Sequence, residues 1–252
     1  MVKRLISNLT RSIEHIVVGQ QSYSETLNLQ SRLMDLKKDG LDTDFLLTVE
    51  HPHTYTIGST GTKDNLLVND DYLNAHGIDI QFTGRGGDIT YHGPGQLVVY
   101  PILDLNHYYK DLHRYLRDLE EVIILTLRNF DIEALRIEGL TGVWVGERKL
   151  ASIGIRMSKW ITMHGTALNV SPDLTLFDNI VPCGIKDKSV SSISEVLSKD
   201  VRVEEVIPLY LSAFSEIFGV RPVENDNTAY SNTSESASIL NYKTVEEITD
   251  GD

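Results

Sequence analysis

The chain has 252 residues, a length that fits one well-filled domain better than two. Its apolar fraction of 41% and charged fraction of 23% are those of an ordinary globular protein, and no apolar run reaches the ~18 residues of a membrane span. The net charge of −13 argues against electrostatic binding to nucleic acid or to an anionic membrane, and the single cysteine excludes an internal disulfide and a cysteine-rich zinc site.

The N-terminal end of the chain is basic. Residues 1–13 contain Lys3, Arg4 and Arg11 with several hydroxyl side chains and no acid. This composition is typical of a short mitochondrial presequence and predicts a mitochondrial location, or a cytoplasmic one if the chain is bacterial. A strand with a few solvated charges is the alternative interpretation.

The C-terminal end is acidic. Residues 223–252 hold seven acids against one base, Lys243. Such a segment cannot bury enough apolar surface to order itself, and we expect a disordered tail. The folded domain is therefore expected over residues 14–222.

Capping residues and apolar positions at helical spacing predict five helices. A capping box at Ser22 and Glu25 begins the first, which ends at Asp39-Gly40. The other helices are expected over Asp70–His76, Asp111–Asn129, Ser191–Leu197 and Glu204–Phe218.

Short apolar runs bounded by turn residues predict the strands. They are expected over Phe45–Val49, Ile78–Phe82, Ile89–His92, Gln96–Pro101, Gly142–Val145, Lys149–Met157 and Trp160–Val170. Helices and short antiparallel strands interleave without a regular βαβ repeat. The predicted fold class is therefore α/β (α+β), a single domain with a mixed, largely antiparallel sheet packed by helices.

Five glycines fall within the twelve residues Gly84–Gly95. Glycine costs backbone entropy, so it is favoured where the backbone bends sharply or touches a ligand. The stretch lacks the spacing of a phosphate-binding loop and of a dinucleotide-binding motif. It forms either a ligand contact or two tight turns around the strand Ile89–His92.

Lys149 begins a predicted strand whose alternation places it on the same face as Ala151, Ile153 and Ile155. A lysine is unexpected on an apolar face. It either extends from the strand end to water or is held beside a reactive group.

Cys183 lies between Pro182 and Gly184, which restrict the backbone on both sides. A lone cysteine is commonly a small buried apolar residue, whereas a thiol in a stiff loop suits a nucleophile. No second cysteine follows at the spacing of a zinc deaminase.

The histidines predict a site without a metal. His51 and His53 have no cluster of acids or cysteines beside them. His92 and His164 adjoin glycines and are expected to line the site. The pair Glu120-Glu121 lies on the long predicted helix and is expected to be solvated.

Together these stretches resemble the lipoyl(octanoyl) transferases, which are related in fold to biotin and lipoate protein ligases. The matching motifs run in family order over about residues 15–219; they are Glu50-His51-Pro52, Tyr55–Gly58, Arg85–Gln96, Gly142-Val143-Trp144, Lys149–Gly154, His164–Asn169 and Pro182-Cys183-Gly184. His53 departs from the second proline that is common in the family.

The resemblance implies an acyltransferase with the ligase catalytic-domain fold that begins endogenous protein lipoylation without a cofactor. Cys183 would take octanoyl from octanoyl-acyl carrier protein as a thioester. A lysine of a lipoyl domain, in a 2-oxoacid dehydrogenase or the glycine-cleavage H protein, would then accept it. A monomer is expected, with no nucleic-acid or membrane partner.

The resemblance also implies roles for individual residues. Lys149 would activate the thiol of Cys183. The implied substrate contacts are Arg85, Gly86, Gly87, Asp88, Ile89, Thr90, Tyr91, His92, Ser152, Ile153, Gly154, Gly165, Thr166 and Ala167.

Three further expectations follow from the chemistry. An apolar slot walled by Tyr91, Leu150 and Ile153 would select the acyl chain length, since each methylene is worth ~0.8 kcal/mol. A basic mouth of Arg85, Arg148 and Lys149 would face acidic protein partners. The oxyanion would be held by backbone N–H groups of either Gly165–Ala167 or the Cys183 loop.

Three alternative functions stay open at this point. An ATP-dependent lipoate ligase would tolerate the change Cys183→Ser and would form an adenylate. A transferase that takes octanoyl from another lipoyl protein differs in its donor. A non-catalytic binder of lipoyl or carrier domains would need an unreactive Cys183.

Overall fold

A large mixed sheet and a smaller sheet organise the chain, whose residues 11–181 and 189–224 are described by a computed structural model. The strands are β1 (Arg11–Gln20), β2 (Asp44–Glu50), β3 (Thr54–Ile57), β4 (Asp79–Phe82), β5 (Ile89–His92), β6 (Gln96–Ile102), β7 (Leu135–Ile137), β8 (Leu140–Val145), β9 (Arg148–Ser158), β10 (Ile161–Asn169) and β11 (Val220–Glu224). The large sheet has the order β11-β1-β2-β6-β10-β9-β8-β7, and the small sheet has the order β4-β3-β5.

Most neighbouring strands are antiparallel. In the large sheet β1 runs parallel to β11 and to β2, and the pairs from β2 onward to β7 are antiparallel. In the small sheet β3 is parallel to β4 and antiparallel to β5. The predicted mixed, largely antiparallel sheet is confirmed.

The described helices lie where the sequence predicts them. They are α1 (Tyr23–Lys38), α2 (Asp70–Ala75), α3 (Leu112–Arg128), α4 (Ile193–Leu197) and α5 (Val203–Phe218). The hydroxyl of Ser22 accepts the N–H of Glu25, which is half of the predicted capping box. None of these helices is both long and apolar enough to cross a bilayer.

Helices bury both faces of the large sheet. Along β2, Leu46 joins the apolar cluster formed with α3 and α5, while Phe45 and Leu47 join the cluster formed with α1. This alternation follows from the two-residue period of a strand. A third cluster, containing Tyr55 and Tyr91, lies against the small sheet.

The ends of the folded domain differ from the expected boundaries. Strand β1 begins at Arg11 and pairs with β2 and β11, with Ile13 fully buried. Strand β11 continues to Glu224. Residues 11–13 and 223–224 therefore belong to the sheet, while the remainder of the expected presequence and of the expected acidic tail lies outside the described residues.

The glycine stretch joins the two sheets by close backbone contact. A Cβ built on Gly58, just after β3, would lie 2.2 Å from the carbonyl oxygen of Gly87. A Cβ on Gly154, in β9, would lie 3.0 Å from the carbonyl oxygen of Gly86, whose own N–H donates to Ile155 at 2.8 Å. Backbones approach this closely only where the side chain is a hydrogen atom.

We expect Gly58→Ala to lower the free energy of unfolding by about 1–3 kcal/mol, because its methyl group must displace the glycine stretch. Gly86→Ala is the matched control: it lies in the same contact, but its Cβ would come no nearer than 3.4 Å to another atom. That change should stay within about 0.5 kcal/mol in urea denaturation. Equal losses in the two variants would contradict the close-contact explanation.

Candidate active site

A cavity of about 710 Å³ lies beside the contact between the sheets. This volume is within the range of pockets that bind small molecules. Its lining includes Lys149 and, Tyr91 excepted, all of the substrate contacts predicted in the described residues: Arg85, Gly86, Gly87, Asp88, Ile89, Thr90, His92, Ser152, Ile153, Gly154, Gly165, Thr166 and Ala167. The structure therefore brings together segments that are far apart in the sequence.

Arg85 is buried and fixes the glycine stretch to β3. Its Nη2 donates to the carbonyl oxygen of Thr56 at 2.6 Å and to the hydroxyl of Thr56 at 2.8 Å, and Nη1 donates to the carbonyl oxygen of Gly86 at 3.1 Å. Only 8% of the residue is exposed. The expectation that Arg85 faces an acidic protein partner is therefore wrong.

A chain of buried hydrogen bonds continues from Thr56 to β10. The Thr56 hydroxyl lies 3.2 Å from Nε2 of His92, and Nδ1 of His92 lies 2.7 Å from Oε1 of Gln96. Nε2 of Gln96 donates to Asn169 at 2.9 Å, so its Oε1 is the acceptor for His92. Burial, with smaller contributions from His51 and Arg85, lowers the pKa of His92 well below its usual value. The ring is therefore neutral.

A second buried histidine, His51, lies behind the cavity wall near α1 and is not itself in the lining. Nδ1 of His51 lies 2.8 Å from the carbonyl oxygen of Gln21 and donates to it, so Nε2 accepts the hydroxyl of Tyr100 at 2.8 Å. Burial lowers the pKa of His51 to about 4. Tyr23 packs against His51, with ring centroids 5.0 Å apart. Tyr23 and Tyr100 line the cavity, so His51 supports a neutral, aromatic part of the wall from behind.

His164 occupies a strained position in β10. Its φ of +59° lies in the left-handed region, which a residue with a side chain seldom adopts. The N–H of His164 donates to the side chain of Gln30 at 2.8 Å, and its Nδ1 lies 3.4 Å from the hydroxyl of Tyr23. Its buried Nε2 has no hydrogen-bond partner among the described residues. Burial lowers the pKa of His164 to about 3, and its expected place in the site lining is observed.

A β-bulge turns Lys149 toward the cavity. Val143 pairs with Ala151 and Trp144 pairs with Lys149, so Leu150 is an extra residue in β9. Leu150 and Ala151 both lie in the apolar cluster under α3 and α5, while Lys149 lines the cavity. The predicted shared face of Lys149 and Ala151 is therefore wrong, because the bulge shifts the alternation by one residue.

Gly142 gives the Lys149 side chain its space. A Cβ on Gly142 would lie 2.6 Å from Cε of Lys149 and 2.6 Å from the carbonyl oxygen of Ala151. Its φ of +130° also lies in the region that favours glycine. Nζ of Lys149 lies 5.3 Å from the ring centroid of Trp144, within reach of a cation–π contact.

The residues on both sides of segment 182–188 are fixed near the cavity; Cys183 itself lies outside the described residues. On one side, the N–H of Val181 donates to the carbonyl oxygen of Asn65 at 2.9 Å, and the Asn65 amide donates to Asp88 at 2.7 Å. On the other, the N–H of Lys149 donates to the carbonyl oxygen of Ser189 at 2.9 Å. The described residues that flank this segment thus lie beside Asn65 on one side and beside Lys149 on the other.

Two of the predicted walls of an acyl slot are wrong. Tyr91 is fully buried with the small sheet and bonds to His53 at 2.7 Å, and Leu150 is fully buried under the helices. Ile153 does line the cavity. At the expected basic mouth, Arg148 pairs with Glu195 at 3.2 Å, so its charge is balanced within the chain.

One expected source of oxyanion donors does not fit the sheet. Thr166 and Ala167 pair with β6 on one side and with β9 on the other. Their N–H groups are therefore engaged between strands. Gly165 and the Cys183 loop remain as candidates.

Glu120 is buried rather than solvated. Its carboxylate accepts the N–H of Gly142 at 3.1 Å and hydrogen bonds from Arg117 at 2.6 Å and Arg136 at 2.9 Å. Residues of two other segments thus compensate the burial of this charge. Helical periodicity alone does not show such partners.

Sequence reasoning missed several lining residues because they occupy ordinary apolar positions of helices and strands. They are Tyr23, Val98, Tyr100, Leu112, Leu116, Leu140, Thr141 and Phe177. Trp144 also lines the cavity, and its motif with Gly142 was the available sequence signal. Within the described residues, no three His, Cys, Asp or Glu side chains are grouped as metal ligands are.

Sequence comparison matches this chain to a known family over most of its length. The lipoyl protein ligase A/B catalytic domain matches residues 22–215. The octanoyltransferase of Cytophaga hutchinsonii is 46% identical over 213 residues, covering 81% of this chain and 87% of its own. The octanoyltransferase of Solibacter usitatus is 49% identical over 201 residues, covering 80% and 90%.

Solved structures share the fold. Lipoate-protein ligase A bound with ATP is 19% identical, covers 85% of this chain and 88% of its own, and gives a TM-score of 0.69. Biotin protein ligase from Aquifex aeolicus with biotin and ATP is 17% identical, covers 81% and 70%, and gives 0.51. These similarities confirm the predicted ligase-like catalytic-domain fold.

The named relatives are bacterial, so they give no support to the expected mitochondrial location and fit the bacterial alternative. Their names agree with the resemblance seen in the motifs. The chain belongs to the lipoyl protein ligase A/B catalytic-domain family, among relatives that are named octanoyltransferases.

Proposed function

We propose that this enzyme transfers octanoyl from octanoyl-acyl carrier protein to a lysine of a lipoyl domain through a thioester on Cys183. The observation that carries the proposal is the bulge at Leu150, which turns Lys149 into the cavity. The backbone of Lys149 also pairs with Ser189, just after the segment that holds the single cysteine. An ammonium group at this place suits the activation of a thiol.

In the first step the thiolate sulfur of Cys183 attacks the carbonyl carbon of the donor thioester. A new carbon–sulfur bond forms, the old one breaks, and the carrier's pantetheine sulfur leaves as a thiolate that takes a proton from water. A free thiol with a pKa of about 8.5 is only a few per cent ionised at pH 7, and a nearby ammonium favours the thiolate. Full ionisation is worth a factor of about 30, or about 2 kcal/mol.

Positioning has to contribute more than ionisation does. A reactant held in line with its nucleophile can gain about 7–11 kcal/mol. The glycine stretch supports this role, because its backbone is fixed to Gly58 and Gly154 and forms one wall of the cavity. Apolar side chains of Val98, Ile153 and Ala167 in the same lining suit an acyl chain.

In the second step a neutral amine of the acceptor lysine attacks the enzyme thioester. An amide forms, the bond to Cys183 breaks, and the thiolate is restored. The attacking lysine must first lose a proton. Acylation of Cys183 removes the thiolate that stabilised the Lys149 ammonium, which therefore releases its proton to water. The neutral Lys149 amine then accepts the proton that the attacking nitrogen loses as the amide forms.

Incubation of the protein with octanoyl-acyl carrier protein should add the mass of one octanoyl group to the wild type and none to Cys183→Ala. Intact-mass analysis measures this, and thiol treatment should release the adduct. Adduct formation on Cys183→Ala would contradict the proposal. Octanoylation of a lipoyl domain that requires ATP and survives Cys183→Ala would favour a ligase instead, and competition between donors identifies the preferred one.

Lys149→Arg should still form the octanoyl-enzyme but should slow amide formation by about a hundredfold or more, because a guanidinium does not release its proton at neutral pH. Single-turnover transfer from the preloaded enzyme to a lipoyl domain separates the two steps. Lys159→Arg, in the turn between β9 and β10, is the matched control and should transfer at the wild-type rate. A normal transfer rate in Lys149→Arg would exclude the proposed proton acceptor.

A further inference from the structure

We infer that Glu120 is a positioning residue for Lys149: its buried carboxylate holds the backbone of Gly142, across which the Lys149 side chain lies. Glu120 is on α3, and Gly142 is on β8. This inference rests on the proposed function, in which the place of the Lys149 ammonium decides the reactivity of Cys183. Glu120 is not among the residues that line the cavity.

The Glu120 carboxylate is held rigidly. Only 1% of the side chain is exposed, and it receives hydrogen bonds from three directions. Arg117 from α3 and Arg136 from β7 donate to Oε2 at 2.6 Å and 2.9 Å, while the N–H of Gly142 donates to Oε1 at 3.1 Å. The two arginines satisfy one oxygen, so the other is presented to β8.

Gly142 connects this carboxylate to Lys149. A Cβ on Gly142 would lie 2.6 Å from Cε and 3.3 Å from Nζ of Lys149. The Lys149 side chain therefore rests directly on the Gly142 backbone. Any movement of Gly142 moves the surface that supports the ammonium.

Glu121, the next residue on α3, shows that pairing with an arginine does not by itself require a carboxylate to be buried. Glu121 also bonds to Arg136, at 2.7 Å, yet its side chain is 29% exposed. A buried ion pair is commonly no more stabilising than apolar residues of the same volume. Glu120 differs from Glu121 by its hydrogen bonds from Arg117 and from Gly142, and the bond from Gly142 is the one that joins it to the backbone under Lys149.

The sign of the effect on Cys183 separates positioning from simple electrostatics. Removing a negative charge near a thiol favours the thiolate and makes the thiol react at lower pH. Moving the Lys149 ammonium away from the thiol disfavours the thiolate and makes the thiol react at higher pH. A variant at Glu120 that makes Cys183 react at higher pH has therefore lost the placement of Lys149 rather than a charge.

The test measures alkylation of Cys183 by iodoacetamide against pH, together with kcat, KM and the melting temperature. Glu120→Gln should raise the midpoint of alkylation by about one pH unit, the lower end of the shift caused by a lost ion-pair partner. It should lower kcat about tenfold with KM for the donor within twofold. Glu121→Gln removes an equal charge from the same helix, and its alkylation midpoint and kcat should match those of the wild type.

Each remaining outcome decides the inference. A folded Glu120→Gln with the wild-type or a lower alkylation midpoint overturns it, as does an equal upward shift in Glu121→Gln. If Glu120→Gln does not fold, Glu120→Asp replaces it in the test, because the shorter side chain keeps its charge beside both arginines but withdraws it from Gly142. The alkylation midpoint of Glu120→Asp should rise. A wild-type midpoint in that variant overturns the inference. If Lys149→Ala itself leaves the midpoint unchanged, the proposed function fails instead.

Discussion

The close approach of the glycine stretch to Gly58 and Gly154 is the contact on which the cavity depends. The two sheets meet there through glycine backbone and the Arg85 side chain, with carbonyl oxygens close to where a Cβ would otherwise be. The contact places the glycine stretch between the end of β3 and β9 and leaves Arg85 buried against Thr56. A larger residue at either glycine would separate the sheets and with them the opposite walls of the cavity. These glycines lose more backbone entropy on folding than other residues would, and the close contact that forms the cavity is what requires them.

The β-bulge at Leu150 is the second constraint, because it sets the direction in which the Lys149 side chain points. It allows Leu150 and Ala151 to remain in the apolar cluster while Lys149 faces the cavity. Without it, strict alternation would bury the lysine among apolar side chains at a large desolvation cost. Gly142 completes the arrangement, because a side chain there would occupy the space of the lysine.

Sequence patterns predicted the local structure and the residues of the site better than they predicted which way individual side chains face. Periodicity and caps located the helices, and the glycine, lysine and histidine motifs identified residues that converge on one cavity. The errors concern facts that depend on partners distant in the chain. Leu150 was assigned to the wall of an acyl slot because a bulge cannot be seen in one strand. Arg85 was assigned to a basic mouth as well as to the substrate contacts, because its partner Thr56 lies 29 residues away and its burial is not visible in the sequence. The resemblance named Lys149 and Cys183 as a pair, and the placement of that pair remains the proposal that the experiments address.

The neutral histidines of the cavity give the proposed ion pair its strength. Burial lowers the pKa of His164 to about 3 and the pKa of His92 well below its usual value, so both of these lining rings are uncharged at neutral pH. A lining of neutral rings and apolar side chains screens charge poorly, so an ammonium stabilises a thiolate more strongly there than in water. The same lining disfavours the ammonium once the thiolate is acylated, because no anion then compensates its burial. One environment thus supports both proposed roles of Lys149: stabilising the thiolate in the first step and accepting a proton in the second.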